Sequence, residues 1–213
     1  MSEVEAPESR KIQSQQKRRA AVLAVADRLF HEGGYEAARI EDIAGQSGVS
    51  LGTIYNYFGS KGGIMEALIA PMTVRMAARG EAILANPPAR LADAAAALYE
   101  AYRFDEGWKS VQLLQAFDAV NAAGDSHLAD VYEEYEGFIT DQFKRLLQGF
   151  RAAGKLRAEL ATDDAIDDMA LMLYRTMLMH FQAYIAAKGA LTYETMLVDM
   201  HRRMRVMVTG WSA

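Results

Sequence analysis

Cysteine is absent from the 213 residues, which excludes disulfides and thiolate metal sites and makes a reducing cytoplasm the simple expectation. Only four prolines occur, two of them adjacent at Pro87-Pro88, and no stretch alternates polar and apolar residues over strand length. The most apolar run, Leu171 to Ala187, is broken by Arg175, His180 and Gln182, which argues against a membrane span. The opening MSEVEAPESRK is acidic and polar, unlike a secretory leader. Catalytic signatures are missing as well: no G-x-S-x-G elbow, no glycine-rich phosphate loop, and no H-x-x-x-H pair among His31, His127, His180 and His201. The densest carboxylate group, Asp163, Asp164, Asp167 and Asp168, follows Thr162 and reads as a capped, acidic helix start rather than a metal site. Neither an enzyme nor a metal or cofactor site is expected.

What the chain does contain is helix-forming residues. Alanine, leucine, methionine and glutamate dominate, so the fold class expected is all-α, with about nine helices. Residues 1–15 read as a disordered arm. A first helix is expected from Gln16 to Glu32, with Val22, Val25, Ala26, Leu29 and Phe30 on one face, closed by Gly33-Gly34. Short helices over Ile40–Ser47 and Ser50–Phe58 follow. A long one, Lys61 to Leu84, is expected to bend at Pro71. Beyond Pro87-Pro88 the glycines at 107, 124, 154 and 189 separate expected helices over Ala89–Phe104, Trp108–Ala122, His127–Ala152, Asp163–Ala187 and Tyr193–Thr209. The domain plan is therefore residues 16–61, a connecting helix 62–86, and a larger helical body 87–213.

The net charge of −5 is unevenly placed. Residues 1–61 hold eight basic and eight acidic side chains, leaving 15 and 20 for the rest. Between Ser9 and Ala26 stand Arg10, Lys11, Lys17, Arg18 and Arg19 with no acid. An acidic protein with a locally basic end can still bind DNA, since phosphate attraction is screened over about 10 Å. A solvated tail is the alternative reading.

One window carries the function. In IEDIAGQSGVSLGTIYNYF, Ile40 to Phe58, Ile40, Ile43 and Ala44 form one apolar edge and Val49, Ile54 and Phe58 a second. Ala44 is small where two helices touch, Gly48 can take positive φ at the turn, and Ile54 is a buried aliphatic, as a helix-turn-helix requires. Ser50 is placed to cap the second helix. Phe58 and Ile54 point to the core; Tyr55 lies opposite them; Tyr57 lies between the two faces.

The flanks extend the motif. The stretch RAAVLAVADRLFHEGGYEAARIEDIAGQSGVSLGTIYNYFGSK resembles the DNA-binding domain of the TetR (tetracycline-repressor) family. The matching pieces are Val22-Leu23, Ala26, Leu29-Phe30, Gly34-Tyr35, Ile43-Ala44, Gly48-Val49-Ser50, Thr53-Ile54-Tyr55, Phe58 and Ser60-Lys61. The resemblance implies an N-terminal three-helix DNA-binding domain on a ligand-binding and dimerisation domain. It implies a cytoplasmic repressor released from a near-palindromic double-stranded DNA operator by a small, largely apolar effector. Tyr55, Tyr57 and Lys61 would then anchor phosphates, while Ser50, Leu51, Gly52, Thr53 and Asn56 face base edges in the major groove. Three positions depart from the family. Arg39 replaces a capping Ser or Thr and can grip phosphate instead. Asn56 replaces an aromatic residue. Gly62-Gly63 replaces acidic residues of a capping box, which predicts a loosened first turn on the connecting helix.

For the body, the resemblance implies that the last two helices pair with those of a second copy. Eight of the twelve methionines lie between Met169 and Met207. The expected interface residues are Met177, Phe181, Tyr184, Met196, Met200, Met204 and Met207, with an intramolecular core as the alternative. The effector pocket is expected among Tyr99, Tyr102, Arg103, Trp108, Phe117, Phe138, Tyr174, Arg175 and His180, aromatics with a few polar tips. Two readings from other classes stay open: a sequence-tolerant architectural DNA binder, and a helical ligand carrier without DNA recognition.

Overall fold

No proline or glycine interrupts the chain between Pro7 and Gly33. The computed structural model, which describes residues 7–104 and 126–213, makes that whole segment one helix, α1 (Pro7–Gly33). Proline suits a first helical position, because the N–H it lacks would find no helical acceptor there. The helix thus starts at Pro7 rather than Gln16, and residues 7–15 of the expected disordered arm are helical. Polarity argues for an unfolded arm, but the helix propensity of its Arg, Lys and Gln residues prevails. Burial begins later, with Val22, Ala26 and Phe30 at i, i+4, i+8 and no accessible surface.

Helices α2 (Ile40–Ser47), α3 (Leu51–Phe58) and α4 (Lys61–Ala85) follow, and α2 packs on both α1 and α3. Helix α4 passes through Pro71 without a break. The described residues form two compact units, 7–70 with 126–129, and 71–104 with 130–213. The division therefore falls inside α4, between Ala70 and Pro71. Pro87-Pro88, the expected seam, lies within the second unit.

The second unit holds the rest of α4 with α5 (Leu91–Ala101), all but the first four residues of α6 (Ser126–Ala152), a 3-10 turn (Ala158–Leu160), α7 (Asp163–Ala186) and α8 (Tyr193–Thr209). Helix α5 ends earlier than expected, and Arg79 serves carbonyls at and just beyond its end: Nε donates to Ala101 O at 2.7 Å and Nη2 to Arg103 O at 2.8 Å. Thr162 caps α7 through the Ala165 N–H, so the aspartates that follow are a helix start, as read. The helix expected over Trp108–Ala122 lies outside the described residues. Among the described residues there are eight α-helices and no β-strand, in keeping with the all-α expectation.

Helix α8 packs on α5 and α7, and its methionine stripe is the core of that contact. Met196, Met200 and Met204 are 1%, 1% and 0% exposed, and Met177, Phe181 and Tyr184 on α7 are buried too. Each such side chain contributes roughly 1.5–3 kcal/mol by leaving water. These six residues therefore cannot supply the face of a dimer. The intramolecular alternative is the one realised, and Met207 is half-buried.

Candidate nucleic-acid interface

Four residues set the direction of α3. Gly48 takes the left-handed conformation (φ 70°, ψ 27°), and its N–H closes α2 on Ala44 O. Only glycine adopts that conformation without strain, so the chain turns there. Val49 N–H bonds the same carbonyl at 3.1 Å. Ser50 Oγ then accepts from Thr53 N–H at 3.1 Å, capping α3 as expected.

The apolar residues seat the helix. Ile54 is fully buried and Phe58 is 7% exposed. The opposite face is turned outward: Tyr55 is 52% exposed and Leu51 39%, with Gly52 and Asn56 also exposed and Thr53 and Tyr57 half-buried. Tyr57 contacts Phe58 edge-on, ring centroids 6.1 Å apart, which accounts for its intermediate place. The outward side chains border a concavity of about 630 Å³ lined by Gly48, Val49, Ser50, Gly52, Thr53, Asn56, Tyr57 and, from α1, Arg18.

The hydroxyls here are partly committed. Ser50 Oγ and Thr53 Oγ1 are 2.9 Å apart, so one donates to the other. One hydroxyl hydrogen is left over in either arrangement, on a pair that lines the concavity together with Asn56. That is one directional donor plus an amide carrying both donor and acceptor, a set suited to base edges.

Lys61 stands differently from its expected role. Its Nζ donates to Tyr35 O at 2.7 Å and Ala38 O at 3.1 Å, and lies 4.2 Å from the Tyr35 ring centre. Burial lowers its pKa from the ordinary lysine value, with the Glu36 carboxylate acting in the opposite sense. Lys61 ties the α1–α2 link to the start of α4, which leaves at most one of its three N–H bonds to point elsewhere. Arg39 stands at the N-terminus of α2. It makes no capping bond, is highly exposed, and holds Glu41 at only 3.5 Å.

The Gly62-Gly63 departure has an unexpected cause. A Cβ on Gly63 would lie 1.9 Å from Phe58 O. The glycine lets α4 start against the last turn of α3, and Ser60 Oγ caps that start through Gly63 N–H at 3.0 Å. The predicted loosened first turn is thus corrected: both glycines are buried and the turn is capped. Sequence reasoning registered the missing acid and missed the close approach, which has no sequence signal.

In the second unit the expected ligand residues are mostly engaged with the fold. Tyr99 OH donates to Leu173 O and Tyr102 OH to Gln142 Oε1, both at 2.6 Å and buried. Burial pushes both phenol pKa values far up. Tyr102 and Phe138 meet edge-on, while Tyr174 is buried and its pKa raised by burial to about 12. Arg103 pairs with Glu100 and Glu194; Arg175 is exposed; His180 is buried, with Nδ1 2.6 Å from Thr176 O. Trp108 and Phe117 lie outside the described residues. Two clefts of about 300 and 340 Å³ lie elsewhere in this unit, around Ala89, Phe150 and Lys155.

This arrangement has relatives. Residues 22–68 match the profile of the bacterial regulatory proteins of the tetR family. The HTH-type transcriptional repressor KstR of Rhodococcus jostii (strain RHA1) is 35% identical over 77 residues, 36% of this chain and 34% of its own. The match thus spans about a third of that relative's length. Among solved structures, a transcriptional regulator from Rhodococcus sp. Rha1 superposes with TM-score 0.65 at 21% identity, covering 93% of this chain and 97% of its own. The complex of SmeT with triclosan superposes with TM-score 0.69 at 18% identity, covering 92% of each chain. Residues 22–68 are thus similar to the tetR family of bacterial regulatory proteins, and the chain shares its fold with these two solved structures along more than nine-tenths of its length.

Proposed function

We propose that the chain is a ligand-responsive DNA-binding transcription regulator, a repressor that holds a near-palindromic duplex as a homodimer and is released by a small, largely apolar effector. The observation that carries this reading is the outward face of α3. Ile54 and Phe58 seat the helix, and Leu51, Gly52, Tyr55 and Asn56 are left to solvent, with Thr53 half-buried, around a capped N-terminus. A helix of that width fits the major groove, where Asn56 reaches an adenine edge and Leu51 or Thr53 a thymine methyl. Tyr55, Tyr57 and Arg39 grip phosphate. Lys61 contributes chiefly by fixing the start of α4. No catalytic step is assigned. No described helix is long and apolar enough to cross a membrane, which suits work in the cytoplasm.

One such helix reads too few base pairs for useful affinity, so two copies are required, about one DNA turn apart. The second copy docks on the apolar side chains that the protomer leaves uncovered on α7 and α8. Met172 and Met179 are 48% and 50% exposed, Val198 and Val206 69% and 76%. They are spaced i, i+7 on α7 and i, i+8 on α8, one stripe on each helix.

The effector belongs to the second unit, where Phe138, Tyr174, Arg175 and His180 remain the candidates. SmeT, of similar fold, is known bound to triclosan. Helix α4 belongs to both units and changes from one to the other at Pro71, which has no N–H to give the carbonyl four residues back. It is a covalent route by which effector and duplex weaken each other's binding equally.

The test is selection of duplexes from a random pool by the full chain. Enrichment of a near-palindrome with half-sites one turn apart is expected, with discrimination lost in Asn56→Ala. Absence of any enriched sequence, with steeply salt-dependent binding to all duplexes, would favour the architectural reading instead.

A further inference from the structure

The first three turns of α1 have no packing reason to exist. Residues 10–20 are exposed on every side, and the core contacts of this helix begin only at Val22. Their side chains nonetheless sort by direction. At 100° per residue, Arg10, Lys11, Ser14, Lys17 and Arg18 fall within about 120° of one another. Arg19 lies on the other side and is engaged, its guanidinium 5.1 Å above the Phe58 ring. Arg10, Lys11, Lys17 and Arg18 form no ion pair with any described residue, and no acid stands between Ser9 and Ala26 to offset them. The strip does not end at random: Arg18 borders the concavity that Ser50, Thr53 and Asn56 form in front of α3.

We propose that this strip of α1 is a second duplex-binding element, which grips backbone phosphates flanking the bases read by α3. The proposal rests on the reading of α3 as the reader. Arg10 lies about 12 Å along the helix from Arg18 at 1.5 Å per residue. Duplex DNA carries one charge per ~1.7 Å of axis, so phosphates come within reach of such a strip whatever the sequence. An anionic membrane surface is the weaker match. A helix lying in a lipid interface needs an apolar face, and among residues 10–20 Ile12 is the one large apolar side chain. The strip carries no base-reading amide, so it adds affinity and footprint and leaves the sequence preference to α3.

The experiment uses the full chain and a variant carrying Arg10→Gln, Lys11→Gln, Lys17→Gln and Arg18→Gln, with folding verified by circular dichroism. Binding is measured across salt on two duplexes: one selected by the wild type from a random pool, one unrelated and of equal length. Loss of each phosphate contact lowers the slope of log K against log salt by about 0.9, so a drop of up to ~4 per protomer is expected. Affinity near 0.15 M salt should fall about tenfold or more, by the same factor on both duplexes, leaving their ratio intact. An unchanged slope on both overturns the proposal, as does a loss confined to the selected duplex, which would place base reading in the strip. Failure of α3 as reader shows separately: the wild type would then bind both duplexes alike, while the effect of the strip on the slope is still measured.

Discussion

Helices α3 and α8 are both amphipathic, yet the chain uses them in opposite ways. On α3, two apolar side chains lie inside and the remaining face is outward, Leu51 and Tyr55 included. On α8, a stripe of methionines that looks ready for a partner is consumed by the protomer's own α5 and α7, and the uncovered apolar groups are Val198 and Val206. The difference is one of supply. A short helix in a small unit meets few apolar neighbours, so its outward residues stay outward. A long helix inside a larger bundle is flanked on two sides. Apolar spacing thus shows which residues leave water, and the number of surrounding helices decides whether the covering is intramolecular.

The sharpest way to break that comparison is Met204→Ala. If Met204 is core, truncation costs about 2–5 kcal/mol in urea unfolding, at every protein concentration. Val206→Glu, two residues on and 76% exposed, should leave the unfolding of the monomer unchanged and shift sedimentation toward the monomer. The reverse pattern would restore the methionines to the dimer face.

Gly63→Ala sharpens the other half. Helix propensity alone predicts a gain of roughly 0.5–1 kcal/mol for replacing a helical glycine. The structure predicts a loss, because the added methyl would meet a main-chain carbonyl at 1.9 Å and α4 must shift to admit it. Overpacking of this kind costs about 1–3 kcal/mol. The sign of the change in melting temperature decides, and DNA affinity should fall with it, since Phe58 closes α3.

The same two residues show what the sequence made legible. The helix-turn-helix could be read because each requirement is local: Gly48 for positive φ, Ser50 for the cap, Ile54 and Phe58 one turn apart. Position 63 could not, since the carbonyl that excludes a side chain there belongs to another helix. Position 204 failed for a related reason: periodicity marks an apolar stripe without naming what covers it. The ligand candidates followed suit. Tyr99 and Tyr102 carry the polar tips that suit a pocket, and in the fold Leu173 O and Gln142 Oε1 occupy those tips.

Lys61 offers a smaller effect. Lys61→Met keeps the stem and removes the ammonium that serves Tyr35 O and Ala38 O. Two carbonyls lose a charged donor, while the penalty of burying that charge is also removed, so a net loss of about 1 kcal/mol is expected. If Lys61 were chiefly a phosphate contact, the variant would keep its melting temperature and only flatten the salt dependence of DNA binding.

The smallest effect expected is at His201 on α8. Its ring stacks on Tyr99, centroids 6.1 Å apart and planes 11° from parallel, and Nε2 lies 3.3 Å from Glu100. Burial lowers its pKa from the ordinary histidine value; Glu100 acts the other way, and Arg205 and Arg103 add to the lowering. A lowered folded value means that the unfolded chain takes the proton first. The contribution to stability is therefore complete above the unfolded pKa of about 6.5, is lost as pH falls through that value, and levels off below the folded one. His201→Phe retains the stack and removes the titration. The wild-type stability minus that of the variant should decline from pH 7.5 to 5.5, roughly the window that brackets the histidine titration. A difference that rises on acidification would mean that Glu100 outweighs burial, and that this edge of the α5–α8 contact is wetter than the packing of α8 implies.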